Sequence, residues 1–304
     1  MKEINFKAYK DYELNLCIWD DVKNPKGVVQ IVHGMAEHVK RYDVLAKFLN
    51  QNGYICLGDD HRAHGVTALK HGKLGQVTED GDCFSDTVQD LVKITDYAKE
   101  TYKLPVVIFG HSYGSFLVQR YIQITSTKVA GAIICGSACQ NIFALKIGRV
   151  IANMQQKMFG KNKDGKMLNG MVFGAYDIPY KKEIKHFGWV TSDAHERDIY
   201  LKDEMCGYVM SIGFFRSFFY GLKNLYTNEN LASIRKDLPV LLISGDKDPV
   251  GGKGKLVNKL YDVYTKWLNN VSIKLYKDKR HEIINETNRN EVLGDILIYI
   301  EKLI

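Results

Sequence analysis

Apolar and polar residues take turns at the start of the chain. Ile4–Tyr9 and Glu13–Trp19 read as paired strands, with side chains pointing alternately to two faces. Gly27–His33 (GVVQIVH) is instead a short apolar run, the pattern of a strand buried on both sides. Tyr54–Leu57, Pro105–Gly110 (PVVIFG), Val129–Cys135, Pro239–Ser244 (PVLLIS) and Val271–Tyr276 add further strands. Apolar residues spaced three and four apart predict helices over Tyr42–Asn52, Gly81–Thr101, Ser115–Ile124 and about Lys253–Leu268. A last helix keeps Val292, Ile296, Ile300 and Leu303 on one face. Alternating strands and helices predict an α/β fold, a mostly parallel sheet with helices on both faces.

The rhythm stops from about Gln140 to Ile234, a stretch rich in Met, Phe, Tyr and Lys. The expected organisation is therefore a core of 1–139 and 235–304 with a largely helical cap, 140–234, inserted between them. Ile147, Val150, Ile151, Met154 and Met158 form a helical stripe, and Gly213–Leu222 (GFFRSFFYGL) is densely aromatic. Both can pack onto the core, or they can line a greasy pocket over an active site. In the second case Met154, Met158, Phe214 and Phe215 are the candidate substrate contacts. Gly160, Gly165, Gly170 and Gly174 suit a flexible part of that cap.

Composition changes this picture little. The chain has 304 residues, 45% of them hydrophobic, with a net charge of +7. The basic residues are spread along the sequence and no nucleic-acid motif is present, so a solvated basic surface is expected rather than a nucleic-acid partner. The N-terminus does not resemble a signal peptide, and no apolar run is long enough to span a bilayer. Cys17, Cys56, Cys83, Cys135, Cys139 and Cys206 are scattered without CxxC pairs, which predicts free thiols in a reducing cytoplasm.

The chemistry concentrates in a few short segments. Gly110-His111-Ser112-Tyr113-Gly114 is a G-x-S-x-G pattern leaving a strand and entering a helix, the setting of a nucleophile elbow. A serine hydroxyl needs a base to remove its proton. His281 is the one histidine beyond the insertion, on a loop after Val271–Tyr276, and suits that role. The acid that orients it is expected after Pro239–Ser244, where Asp246 and Asp248 compete. The oxyanion hole calls for two backbone N–H groups, expected from Tyr113 and from Met35 in the loop HGMAEH. Glu37 and Arg41, four apart, can pair and hold that loop. Asp60-His61-Arg62-Ala63-His64 clusters acids and histidines, but no partner cluster completes a metal site. A structural loop is expected there, and no metal.

These motifs resemble the monoacylglycerol lipase and lysophospholipase branch of the α/β-hydrolases, especially its bacterial members. The resemblance rests on HGMAEHVKRY (His33–Tyr42), DHRAHG (Asp60–Gly65), GHSYGS (Gly110–Ser115), SGDKDPV (Ser244–Val250) and YKDKRHEIINE (Tyr276–Glu286). WVTSD…DEMCGYVMS (Trp189–Ser211) is similar to the cap of this branch. Ala63 departs mildly from the family's usual glycine. The resemblance implies that Asp248 is the acid, leaving Asp246 to stabilise its loop. It also implies cofactor-free hydrolysis of a small-molecule or lipid ester through an acyl-enzyme on Ser112. A small-ester carboxylesterase, an aminopeptidase or thioesterase, and a non-catalytic ligand-binding protein are alternatives on the same scaffold. Transient contact of the cap with a membrane surface is compatible with any of them.

Overall fold

The computed structural model describes residues 1–78, 80–181, 184 and 186–304. Its strands are β1 (Lys2–Lys7), β2 (Glu13–Trp19), β3 (Gly27–Val32), β4 (Tyr54–Asp60), β5 (Val106–His111), β6 (Gly131–Cys135), β7 (Val240–Gly245) and β8 (Val271–Tyr276). They lie in one sheet in the order β1-β2-β4-β3-β5-β6-β7-β8. The pairs β1–β2 and β2–β4 are antiparallel, and every later pair is parallel. Every residue of β3, β5, β6 and β7 is buried, which is why these segments read as apolar runs instead of alternating ones.

Helices cover both faces. On one side α1 (Asp43–Gln51) and, at the far end of the chain, a helix over Arg289–Glu301 bury Leu45, Leu49, Val292, Ile296 and Ile300 against Val29, Val107 and Ile133. The short helix α2 (Gly65–His71) follows β4. On the other side α3 (Cys83–Tyr102), α4 (Tyr113–Thr125) and a helix over Lys255–Tyr264 bury Leu91, Ile94, Leu117, Tyr121 and Leu260 against Val28, Ile108 and Ile134. Each such aliphatic side chain contributes about 1.5–3 kcal/mol.

Two features depart from the expected pattern. β4 runs on through Gly58, Asp59 and Asp60, and α2 follows it; neither is written in apolar periodicity. Local hydrogen bonds specify this region instead: Asp60 accepts the N–H groups of Val39 at 3.0 Å and Val66 at 2.9 Å.

Between β6 and β7 the chain forms α5 (Ile142–Phe159), α6 (Lys166–Phe173), α7 (Ala194–Lys202), α8 (Ile212–Lys223) and α9 (Asn228–Ala232). The helices over Lys255–Tyr264 and Arg289–Glu301 are then α10 and α11. Positions 182, 183 and 185 of the expected insertion lie outside the described residues. The Asn141 side chain caps α5 and that of Asp193 caps α7, each accepting two backbone N–H groups. The apolar stripe on α5 corrects the expectation of an inward greasy face. Val150, Met154 and Met158 are 58%, 59% and 70% exposed, whereas the buried residues of α5 are Leu145, Gly148 and Ala152. The reason is steric. α5 packs on α8 so closely that a β-carbon on Gly148 would sit 3.0 Å from the Phe219 ring. Gly148 and Ala152 suit that seam, and Val150, Met154 and Met158 turn outward. Among the described residues no helix is long and apolar enough to cross a membrane.

Candidate active site

Ser112 stands at the turn from β5 into α4 with φ 53° and ψ −118°, a strained conformation for a residue bearing a β-carbon. Its neighbours explain how the turn is tolerated. A β-carbon on Gly110 would meet the Gly114 carbonyl oxygen at 2.6 Å, and one on Gly114 would run into the carbonyls of Val32 and His33. The turn is pinned by Ser112 N–H to the Cys135 carbonyl at 3.0 Å and by Ser115 Oγ to the Ser112 carbonyl at 2.5 Å.

His281 is 3% exposed, on the loop after β8. Its Nδ1 lies 2.9 Å from Asp248 Oδ2. Asp248 is fully buried and accepts two more bonds, from Ser244 Oγ at 3.1 Å and the Val250 N–H at 2.8 Å. Asp246 instead accepts the Asp278 N–H at 2.7 Å, holding the turn that follows β8. The geometry thus separates the two carboxylates: Asp248 meets the histidine and Asp246 braces the loop. A proton on Nδ1 facing the carboxylate leaves Nε2 as the basic nitrogen. His281 Nε2 is buried with no hydrogen-bond partner among the described residues.

Met35 follows Gly34 in the loop after β3. A β-carbon on Gly34 would come within 3.2 Å of Ser112 Cβ, so glycine lets this loop approach the serine. Tyr113 opens α4, and the N–H groups of a helix's first turn have no intrahelical acceptor. Below the loop is a buried polar network. Glu37 accepts the Gly34 N–H at 2.5 Å and the Tyr42 hydroxyl at 2.8 Å, and pairs with Arg41. Arg41 also makes two bonds to Glu282, beside His281, and Tyr42 reaches His111 Nδ1 at 2.9 Å. The expected Glu37–Arg41 pair is therefore present, with Glu282 a third member that spacing alone did not suggest. Burial opposes the charge on Glu37, but Arg41 and His111 hold its carboxyl well below the usual range.

Two cavities meet at Met35, Ser112 and Phe173. The larger, about 230 Å³, is mostly apolar, with Phe116, Leu145, Gly148, Phe218, Phe219 and Leu222 among its lining residues. The smaller, about 70 Å³, includes His281, Trp189, Asn169, Tyr200 and Tyr208. The expected contacts Met154, Met158, Phe214 and Phe215 line neither cavity. The two methionines face outward; Phe214 packs on Tyr113 and His64, and Phe215 stacks on Phe219. Phe218 and Phe219, one turn further along α8, line the larger cavity instead.

The Asp60–His64 segment is held by contacts within the core. Arg62 binds Asp90, His61 Nδ1 lies 2.9 Å from Asp59, and His33 stacks on His61. One group among the described residues has the donors for a metal ion: His38, Asp203 and Cys206, with ligand atoms within 4.8 Å of one another. His38 and Asp203 already bond to each other at 2.7 Å, and burial pushes the Cys206 thiol up, which keeps it protonated.

A family model, Hydrolase_4 (serine aminopeptidase, S33), matches residues 23–288. The chain is 27% identical over 292 residues to a monoacylglycerol lipase of Mycolicibacterium smegmatis, covering 93% of this chain and 91% of that one. Among solved structures, a thermostable carboxyl esterase from Bacillus coagulans in complex with glycerol superposes with a TM-score of 0.91 at 26% identity, covering 99% and 98% of the two chains. A soluble variant of the Saccharomyces cerevisiae monoglyceride lipase gives a TM-score of 0.76 at 22% identity over 99% and 94%, a likeness of fold.

Proposed function

Because the chain belongs to the Hydrolase_4 family, in the monoacylglycerol lipase branch of the α/β-hydrolases, and is a hydrolase acting on esters, we propose that it cleaves monoacylglycerol- or lysophospholipid-like esters through an acyl-enzyme on Ser112. One observation carries this reading: Ser112, on its strained turn, borders the same cavity as His281, whose ring is held by buried Asp248.

In this mechanism His281 Nε2 takes the Ser112 proton as Oγ bonds to the ester carbonyl carbon. The Met35 and Tyr113 N–H groups bind the oxyanion. Collapse breaks the bond to the alcohol oxygen, which leaves with the proton from His281. Water, deprotonated by the same nitrogen, then releases the carboxylic acid and restores Ser112. Residues 140–234 act as a cap: the large apolar cavity beneath α5 and α8 takes the acyl chain, and the smaller cavity takes the alcohol. No step requires a cofactor.

The outward stripe of α5 supports contact with a membrane surface. Phe143, Ile147, Val150, Met154 and Met158 recur every three or four residues and are all exposed, with Lys146 and Lys157 exposed on the same helix. A cytoplasmic location is supported by six cysteines that are all free.

The family model's description favours a second reading, an aminopeptidase, which would need a carboxylate to hold a substrate amine. Glu37 and Glu282, which line the smaller cavity, are both bonded to Arg41 instead. Hydrolysis of p-nitrophenyl esters of increasing chain length, beside monoacylglycerols, lysophospholipids and aminoacyl p-nitroanilides, separates the readings. Turnover that needs Ser112 and peaks at long chains supports the lipase-like assignment. Activity confined to acetate and butyrate would mean a small-ester esterase, and anilide turnover alone a peptidase.

A further inference from the structure

The loop that presents Met35 is fastened from above as well as from below. Ala36, the next residue, has φ +54°, a left-handed conformation that a residue with a β-carbon keeps only when its surroundings impose it. Part of that constraint comes from the segment after α7. The Gly207 N–H donates to the Ala36 carbonyl at 2.9 Å, and Gly207 itself has φ +68°. Two residues beyond Ala36, the buried His38 places Nε2 2.7 Å from Asp203 Oδ2. Asp203 is in turn set by the Met205 N–H on its Oδ1, at 2.8 Å, and its own carbonyl accepts the Cys206 N–H at 2.9 Å. Residues 203–207 thus form a tight turn whose two ends both grip the Met35 loop. The same turn is anchored to the core further on, by Ser211 N–H to the Gly75 carbonyl at 2.8 Å.

We propose that this turn of the insertion is a working part of the oxyanion hole, with Asp203, acting through His38, as a positioning residue that sets where the Met35 N–H points. The inference rests on the acyl-enzyme reading above. An oxyanion donor acts only at the distance and angle of the developing charge, and a displacement of about 1 Å far from the chemistry can cost roughly a hundredfold in rate. Asp203 touches no reacting atom. Its effect is confined to the transition state, so it acts on kcat, whereas a residue that merely guards access to the cavity acts on KM.

The test compares Asp203→Ala, Asp203→Asn and His38→Leu with the wild-type chain on p-nitrophenyl butyrate, with active sites counted by fluorophosphonate titration. The affinity of a trifluoromethyl ketone, which forms the oxyanion on the enzyme, is measured alongside. Asp203→Ala is expected to lower kcat per titrated site by about ten- to a hundredfold with KM within twofold. It should weaken the ketone by a similar factor. Asp203→Asn, which can still accept from a protonated Nε2, should recover most of the loss. His38→Leu, which removes the Nε2 donor from the buried site, offers a second approach to the same contact if the alanine variant fails to fold, and should show the same split. Unchanged kcat per titrated site, a loss residing in KM, or a loss of kcat with ketone affinity unaltered overturns the proposal. Absence of Ser112-dependent turnover in the wild-type chain would instead remove the acyl-enzyme reading beneath it, so the two failures are distinguishable.

Discussion

Asp248 Oδ2 lies 2.9 Å from His281 Nδ1, and the bond selects which ring nitrogen keeps its lone pair. An asparagine at 248 could donate to Nδ1 as readily as accept, which would put the proton on the wrong nitrogen. Asp248→Asn is therefore expected to lower kcat by about 10⁴ with the fold retained, measured on a chromogenic ester beside a thermal melt. Asp246→Asn should stay within a few fold of wild type, because Asp246 holds the Asp278 N–H and does not reach the ring. Equal losses in the two variants would contradict the division of labour between them.

The wall of the large cavity predicts a chain-length effect. Gly148 lines that cavity, and a β-carbon there would stand 3.0 Å from the Phe219 ring. Gly148→Ala adds helix propensity but pushes Phe219 toward the space proposed for the acyl chain. The expected result is about a tenfold fall in kcat/KM for a dodecanoyl ester, roughly 1.4 kcal/mol, with the acetate ester within twofold. A uniform change across the chain-length series would mean that the acyl chain lies elsewhere.

The core was legible because its strands are short apolar runs and its proposed catalytic residues sit in local motifs. Ser112 is recognisable from the glycines that its turn requires, and His281 from its place after β8. Other features depend on packing that no linear pattern records. The stripe Val150-Met154-Met158 marks one face of α5 but not which way that face turns, and Gly148 against Phe219 decides it. Phe214 and Phe218 are equally apolar and one turn apart; only the tilt of α8 puts the second in the cavity. Asp246 and Asp248 were separable by resemblance but not by spacing, since the choice depends on the turn at Asp278, more than thirty residues away.

Buried neutral histidines predict acid sensitivity. Burial holds His64 at about 3 and His33 well below the ordinary value of 6.5. As pH falls below about 6.5 these rings protonate in the unfolded chain but stay neutral in the folded one. The stability they confer is therefore complete above that pH and lost on the way down toward 3, about 2 kcal/mol for His64 by pH 5. His111 works in the opposite sense: burial lowers its pKa, but the Glu37 carboxylate 3.5 Å from its Nδ1 raises it overall. The difference between wild type and His64→Gln isolates one ring. Urea unfolding between pH 7 and 5 should show the variant losing about 2 kcal/mol less than wild type, and parallel curves would contradict this.

The exposed stripe on α5 predicts binding to vesicles. Met154 and Met158 are 59% and 70% exposed, so Met154→Glu with Met158→Glu should leave the melting temperature nearly unchanged. Sedimentation with vesicles containing phosphatidylglycerol is expected for the wild-type chain, weaker in high salt and abolished in the double variant. Binding that is indifferent to both substitutions would place the contact on another face.

Rapid mixing with p-nitrophenyl decanoate, followed by acid quench and peptide mass analysis, reads out whether Ser112 carries the acyl group. A burst of p-nitrophenol approaching one equivalent per chain is expected where deacylation is the slower step. A decanoyl adduct on the peptide containing Ser112 is expected with it, and both burst and adduct should be lost in Ser112→Ala. Full turnover in Ser112→Ala, or an adduct on a different residue, would contradict an acyl-enzyme on Ser112.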